Sequence, residues 1–429
     1  MVATNYDVMP MTYLHWVLLW INAISDSYLW VDSPDCFFYK VDYIFWNHDL
    51  NSTLKRANWV HRFNSTVSHA DKVIWNNNDK FTKELISFAS NEFIKLLFVT
   101  SMPMAQIIWT DYQMIIDEAI KESNNKDIFN IPSRSMTSCW LDWYSDLLFS
   151  LAKNIDISNS KPNKKKVAIV WNLFDRNEWD CIWNIKELKN IFHWLWLEVE
   201  SIWLDWWKYE DILKIKNVWT IISLPYWRKA AKKISKRLKI DLLELDIPFG
   251  FTNTIKFIKS IWDFFSIDSK KIEKFLDDEF TIRNDINIMK WGINKTLFNK
   301  KISFYWDPYL INWVIDISEY IWIELKQLFL HWEKKHLINN INSLYSKSDI
   351  TIEDSLLSNR DLDIDLMIMN TANASYWIWY WEWQNAYDNR KILEFWFPSY
   401  WYHCFIDKPF YWIRGTINFI NRVYNKLSI

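Results

Sequence analysis

Glycine is nearly absent from this chain. Gly250, Gly292 and Gly415 are the whole supply in 429 residues, where average usage of about 7% would give roughly 30. The residue that ordinarily fills tight turns and positive-φ positions is therefore missing. Cysteine is also sparse. Cys36, Cys139, Cys181 and Cys404 are scattered, with no C-x-x-C pair and no disulfide-framework spacing. No lysine or arginine occurs before Lys40, which excludes the basic start of a secretory signal. The net charge is −2 and the pI about 6.5. That balance argues against a nucleic-acid surface or a polybasic membrane anchor. The runs Lys164-Lys165-Lys166 and Lys232-Lys233 read as a linker and a solvated helix face. Residues 14–31 are apolar but interrupted by Asp26. They read as a buried helix rather than a span of about 20 apolar residues, and the protein as cytoplasmic.

Tryptophan has taken glycine's place, with 32 copies. It stands where turns belong. Leu204-Asp205-Trp206-Trp207-Lys208 reads naturally as LDGGK, and Pro225-Tyr226-Trp227-Arg228 as PYGR. Ser375 to Trp383 lays large aromatics at alternate positions, as though written SYGIGYGEG. UGA is one base from the glycine codon GGA, and some lineages read it as glycine while a common alternative table reads tryptophan. The chain is therefore read with many tryptophans standing for glycine. Trp171, Trp206, Trp207, Trp227, Trp377 and Trp381 are expected in turns, at positive φ, or unusually exposed. The alternative is a Trp-rich ligand-binding protein, correct as written.

The chain falls into three segments. The first, 1–160, ends in the polar linker 157–166. It holds strands at 95–101 and 127–133 and helices at 111–122 and 141–154. The second, 166–265, alternates strands (166–170, 198–204, 220–224, 241–245) with helices (185–192, 211–215, 229–238, 252–264). Short apolar strands each followed by a helix mean a parallel sheet covered on both faces. A helical connector spans 266–299. The third segment, 300–429, repeats the alternation, with strands at 301–305, 324–330, 366–370 and 392–395 and helices at 308–320, 334–344 and 413–426. The fold class is α/β, with two to three Rossmann-like domains whose clefts lie at strand C-terminal ends.

With glycines restored, the order of motifs resembles the nitrogenase component 1 family, which includes protochlorophyllide reductase subunits and cofactor-assembly scaffolds. Trp20 to Cys36 reads GINAISDSYLGVDSPDC, similar to a stretch ending Gly-Pro-x-Gly-Cys. Val99 to Ser101, followed by Ile107-Ile108-Trp109-Thr110-Asp111, resembles a strand and loop ending Ile-Ile-Gly-Asp-Asp. Pro132 to Tyr144 sits where the family has a proline loop before a Gly-Tyr helix. Residues 167–180 read VAIVGNLFDRNEGD, and Phe304 to Pro308 reads FYGDP. Phe397 to Gly415 reads FPSYG…YGIRG, like the family's close. The resemblance implies electron-transfer chemistry in a dimer or tetramer with a homologous partner subunit, fed by a P-loop ATPase reductase. It also implies an interface iron–sulfur cluster, for which each chain supplies three cysteines. Cys36 matches the second of these positions. No cysteine precedes it, and the third position falls on Met102-Pro103. The resemblance therefore allows an oxidoreductase subunit with an incomplete ligand set, its cluster shared with a partner. The alternative is a non-catalytic scaffold or partner subunit binding a metallocluster precursor or a tetrapyrrole.

The candidate residues follow from this. Cys36 is a surviving metal or cluster ligand, or a small packing residue. His48, Asp49, His61 and His69 offer imidazole and carboxylate suited to zinc or iron. They match no compact motif, so polar surface and turn capping is the other reading, and the segment lines a cleft on the first. Cys181 falls after the first strand of the second segment, facing a ligand crevice or opening a helix beside Asp180. His403 and Cys404 lie near where the family's large-cofactor members place a histidine ligand. The loop 375–385 is glycine-dense when restored, but it lacks the order of a nucleotide loop.

Overall fold

The computed structural model describes residues 12–55, 61–67, 78–102, 110–123, 125, 127–133, 140–170, 176–267, 270, 273–274, 277, 290–305, 307–329, 351–353, 363–370, 374, 391–396 and 402–428. Cys139, His69, Trp171, Trp377, Trp381, the helix expected at 334–344, the loop 375–385 and most of the connector lie outside them.

Three parallel sheets organise the described chain. The first takes β1 (Ser27–Asp32), β2 (Phe63–Ser65), β3 (Leu96–Ser101) and β4 (Ile128–Asn130), in the order β2-β1-β3-β4. β1 and β3 are buried along their whole length. Residues of this kind on both faces read as near-continuous apolar runs, as in a sheet covered by helices on each side. One such helix is α1 (Tyr13–Asn22), all ten residues of which are buried. Others are α2 (Cys36–Tyr43), α3 (Asn78–Ala89), α4 (Tyr112–Ser123) and α5 (Trp140–Asn154). Trp30, Leu85, Leu97, Val99 and Ile115 belong to one apolar cluster between the sheet and its helices.

The second sheet runs β6-β5-β7-β8, from β5 (Asn163–Val170), β6 (Glu198–Trp203), β7 (Val218–Ser223) and β8 (Asp241–Glu244). Its pairings are all parallel, as the strand–helix alternation implies. The intervening helices are α6 (Trp179–Trp194), α7 (Tyr209–Leu213) and α8 (Arg228–Leu238). The third sheet has the order β11-β10-β9-β12-β13, from β9 (Lys301–Tyr305), β10 (Glu324–Phe329), β11 (Thr351–Glu353), β12 (Leu366–Met369) and β13 (Lys391–Glu394). With it go α9 (Phe251–Phe265), α10 (Ile311–Tyr320) and α11 (Trp412–Ser428).

The chain divides into two compact units. One comprises residues 11–178 and 196–244 and carries the first two sheets. The other comprises the described residues of 179–195 and 245–429 and carries the third sheet with α6 and α9.

One sequence expectation is corrected here. The run 14–31 is not one helix but α1, a four-residue turn and the central strand β1. Continuous apolar character cannot tell a buried helix from a buried strand. The polar residues Asn22, Ser25 and Asp26 mark the break.

Tryptophan meets backbone conformations it does not suit. Eleven non-glycine residues have positive φ among the described residues, and five are tryptophan: Trp196 (63°), Trp206 (60°), Trp322 (58°), Trp396 (65°) and Trp412 (73°). The left-handed region costs a residue with a Cβ about 1–2 kcal/mol. Of the expected positions, Trp206 has positive φ, whereas Trp227 is buried with φ −123°. In addition, the indole N–H groups of Trp20, Trp30, Trp203, Trp227 and Trp313 are buried without a hydrogen-bond acceptor among the described residues. A buried donor left so costs about 1–3 kcal/mol.

Candidate functional site

In open parallel α/β folds, ligands meet the carboxyl ends of the strands. At that edge of the first sheet the strand ends carry polar side chains laced together. β1 closes on Asp32, which is 2% exposed. Its two carboxylate oxygens accept from the Tyr112 hydroxyl (2.8 Å) and the Thr66 hydroxyl (2.8 Å). The Ser33 and Ser65 hydroxyls bond to each other at 2.9 Å. Burial, and then the neighbouring Asp32 carboxylate, hold the Tyr112 phenol well above its ordinary range. Tyr112 is therefore held as a neutral donor to the Asp32 carboxylate.

Cys36 stands beside this network. The chain leaves β1, turns through Ser33-Pro34-Asp35 and enters α2, whose first residue is Cys36. Phe37 N–H donates to the Pro34 carbonyl (3.2 Å), closing the turn. The half-buried Cys36 thiol lies 4.0 Å from the Met102 sulfur. Met102 directly follows β3, and its N–H donates to the Asp32 carbonyl (2.9 Å). Two strand ends thus bring together the two positions at which the sequence comparison looks for cluster ligands. One is a thiol and the other a thioether. Iron–sulfur clusters are held by several thiolates converging on one point. Among the described residues, no group of three His, Cys, Asp or Glu side chains could hold a metal ion. The donors beside Cys36, among the described residues, do not amount to a cluster ligand set.

The histidine-rich stretch is placed elsewhere in the same unit. His48 ends a π-helical turn over Ile44–His48. His48 and Asp49 are fully buried, not polar surface. Asp49 accepts from the Asn22 side chain (2.5 Å), the Asn51 N–H (2.9 Å) and the Asn177 N–H (3.0 Å). Burial holds its carboxyl above the usual range despite these donors. Asp49 thus ties three separated segments together. His61 stacks on Phe63 at 5.3 Å with near-parallel rings.

In the other unit, Cys181, His403 and Cys404 gather around one junction. Cys181 sits buried in the first turn of α6, its N–H donating to the Asp180 carboxylate (2.9 Å). Cys181 is the third residue of the helix and Asp180 the second, so Asp180 lies within the first turn rather than capping it. Trp179 N–H donates to the Cys404 carbonyl (3.2 Å). The Asn184 side-chain oxygen accepts from the N–H groups of Phe410 (2.7 Å) and Tyr411 (3.0 Å). The Cys404 thiol, itself buried, contacts the Ile406 carbonyl at 3.1 Å. Burial, and then the nearby Cys181, push the Tyr411 phenol upward. His403 is part-exposed, with its ring 6.4 Å from Phe405.

Sequence reasoning missed Asp32, Tyr112 and Asn184. The signal for Asp32 was available: an acidic residue ending an apolar run, just before a Ser-Pro turn. Tyr112 and Asn184 carry no such mark, because their partners are 80 and more than 220 residues away.

The comparisons agree with this architecture. The sequence profile of the nitrogenase component 1 type oxidoreductases matches residues 45–428. No curated protein matches the chain. Among solved structures, nitrogenase Cp1 at pH 6.5 superposes with a TM-score of 0.75 at 14% identity, covering 98% of this chain and 93% of that one. Nitrogenase Cp1 at pH 5 superposes with a TM-score of 0.68 at 12% identity, covering 100% and 90%. At such identities the likeness is one of fold, and the profile match over most of the length carries the membership. The chain belongs to the nitrogenase component 1 type oxidoreductase family.

Proposed function

We propose that this chain is a nitrogenase component 1-type subunit that works in an oligomer with a homologous partner and acts as a scaffold rather than completing an iron–sulfur site of its own. The observation that supports this reading is the pairing of Cys36 with Met102 at the carboxyl edge of the first sheet. Where a cluster-binding chain needs a second thiolate, this one presents a thioether, a weak and uncharged donor. The edge retains a built polar network in Asp32, Tyr112 and Thr66, suited to fixing the orientation of something docked there. A metallocluster precursor or a tetrapyrrole, handed between chains, is the class of cargo the family suggests.

The oxidoreductase reading differs in one respect. It makes Cys36 one ligand of a cluster whose other thiolates come from the partner, with electrons supplied by a P-loop ATPase reductase. Iron and sulfide analysis of the anaerobically purified complex, with and without Cys36→Ala, separates the two. Unchanged iron in the variant is expected. Loss of bound iron with the complex intact would overturn the scaffold reading and establish the bridging one.

A further inference from the structure

We propose that the natural protein carries glycine at positions 196, 206, 322, 396 and 412, where the written sequence has tryptophan. The cause would be UGA codons that natural translation reads as glycine. Composition and the turn-like settings of several tryptophans, Trp206 among them, raise the codon reading. The backbone now picks out individual positions, and it does so without reference to composition.

Tryptophan is 32 of 429 residues, so fewer than one of the eleven positive-φ residues should be tryptophan by chance. Five are. Each stands where glycine has a mechanical role. Trp322 stands two residues beyond the last residue of α10, at φ 58°. Trp322 N–H donates to the Glu319 carbonyl (3.4 Å) and Ile323 N–H to the Ser318 carbonyl (3.0 Å). These are the two bonds of a Schellman motif, whose left-handed residue is usually glycine. Trp196 holds the corresponding place two residues beyond α6, with φ 63°, and its side chain is 65% exposed. An indole in that position combines backbone strain with a large apolar surface in water.

The other three lie where backbone meets backbone. Trp206 N–H donates to the Ala23 carbonyl (2.9 Å), two residues after Leu204, which also has positive φ. Trp412 N–H donates to the Pro248 carbonyl (2.9 Å), and Trp412 forms a parallel bridge with Phe249. Three residues on, a Cβ at Gly415 would lie 2.0 Å from the Phe410 carbonyl oxygen. The start of α11 thus holds two positions that resist a side chain, Gly415 by close approach of the Phe410 backbone and Trp412 by its positive φ. Trp396 follows β13 at φ 65°. Its indole N–H donates to Asp307 (2.8 Å). Asp307 also accepts from the Tyr309 N–H (2.9 Å), a bond that does not depend on the indole. By contrast, Trp20 and Trp30 lie inside α1 and β1, where the backbone makes no demand for glycine.

Two measurements test this. The gene is sequenced at the five codons, and the protein isolated from its natural source is digested with trypsin. The peptide of residues 190–208 is then sequenced by tandem mass spectrometry, together with those covering 322, 396 and 412. UGA at the five codons and glycine in the peptides is expected. UGG codons, or tryptophan in the peptides, would overturn the proposal whatever the folded state. Independently, Trp206→Gly, Trp206→Asn and Trp206→Ala are made in the chain as written. Melting temperature should rise in the order Ala, Asn, Gly, because Asn tolerates the left-handed region better than Ala and glycine best. Equal shifts for Ala and Gly would assign the gain to lost bulk and overturn the backbone argument.

Discussion

His15 illustrates what burial does to a single residue. It is the third residue of α1 and 6% exposed. Its Nδ1 accepts the Thr12 N–H at 2.9 Å, so the proton of the neutral ring sits on Nε2. The ring meets Tyr43 edge-on at 5.2 Å. Burial, and then the charges of Lys40 and His48, push its pKa from 6.5 down to about 3. The unfolded chain binds a proton at this residue below pH 6.5, while the folded chain refuses it until about pH 3. Stability from His15 is therefore whole above pH 6.5 and is lost progressively as pH falls toward 3. Asp49, with its carboxyl held above the usual range, works in the opposite direction, losing stability as pH rises above 3.8. The comparison that isolates His15 is therefore between two proteins in the same buffers. His15→Gln keeps an acceptor for Thr12 and cannot protonate. Its melting temperature should fall less between pH 7 and pH 4 than that of the unmodified chain. Parallel pH profiles would refute the assignment.

Among elements, α1 shows how an interior helix is terminated. Mostly apolar and buried on every face, it has last carbonyls that cannot turn to water. Arg62, fully buried just before β2, supplies the donors. Its guanidinium donates to the carbonyls of Ile21 and Ile24, to the Ser27 carbonyl (3.0 Å) and to the Thr53 hydroxyl (2.7 Å). One planar fork thus serves the end of α1, the turn and the start of β1. Lysine has a single ammonium and cannot span these acceptors. Arg62→Lys should cost about 2 kcal/mol or more, since at least one buried carbonyl loses its donor. The drop in urea midpoint would measure it, and a variant within about 0.5 kcal/mol of the parent, the range of ordinary surface changes, would show that water substitutes for the guanidinium.

For the whole molecule, three parallel sheets strung on one chain pose the question of which parts fold alone. Boundaries at 1–160, 166–265 and 300–429, with a connector at 266–299, are our proposal for the domains, each built on one sheet. Limited proteolysis of the intact protein tests it. Early cuts within 266–299, leaving a fragment of residues 300–429 that keeps its far-ultraviolet circular dichroism, would support the scheme. Fragments that unfold on separation would favour the two compact units, in which residues 179–195 and 245–265 go with the third sheet. No described helix is long and apolar enough to cross a membrane.

The alternation of strand and helix, the parallel sheets and the family were decided by local pattern. Runs such as Leu96–Ser101 and Val218–Ser223 are apolar enough on both faces to declare a covered parallel strand from sequence alone. The displacement of glycine by tryptophan was also legible, because composition needs no coordinates. Pattern failed at 14–31, where an apolar helix and an apolar strand follow each other and hydrophobicity has no period to separate them. The site was legible only as scattered residues. That Cys36 meets a methionine rather than a second thiol, 66 residues away in sequence, depends on two strands ending side by side. The Asp32–Tyr112 pair and the Asn184 anchor depend on the same long-range pairing of segments. Likewise, composition set the excess of tryptophan beside the shortage of glycine, but the dihedral angles show where the described chain turns left-handed. A residue's identity is local, whereas its partner, its burial and its φ are set by everything the chain folds against.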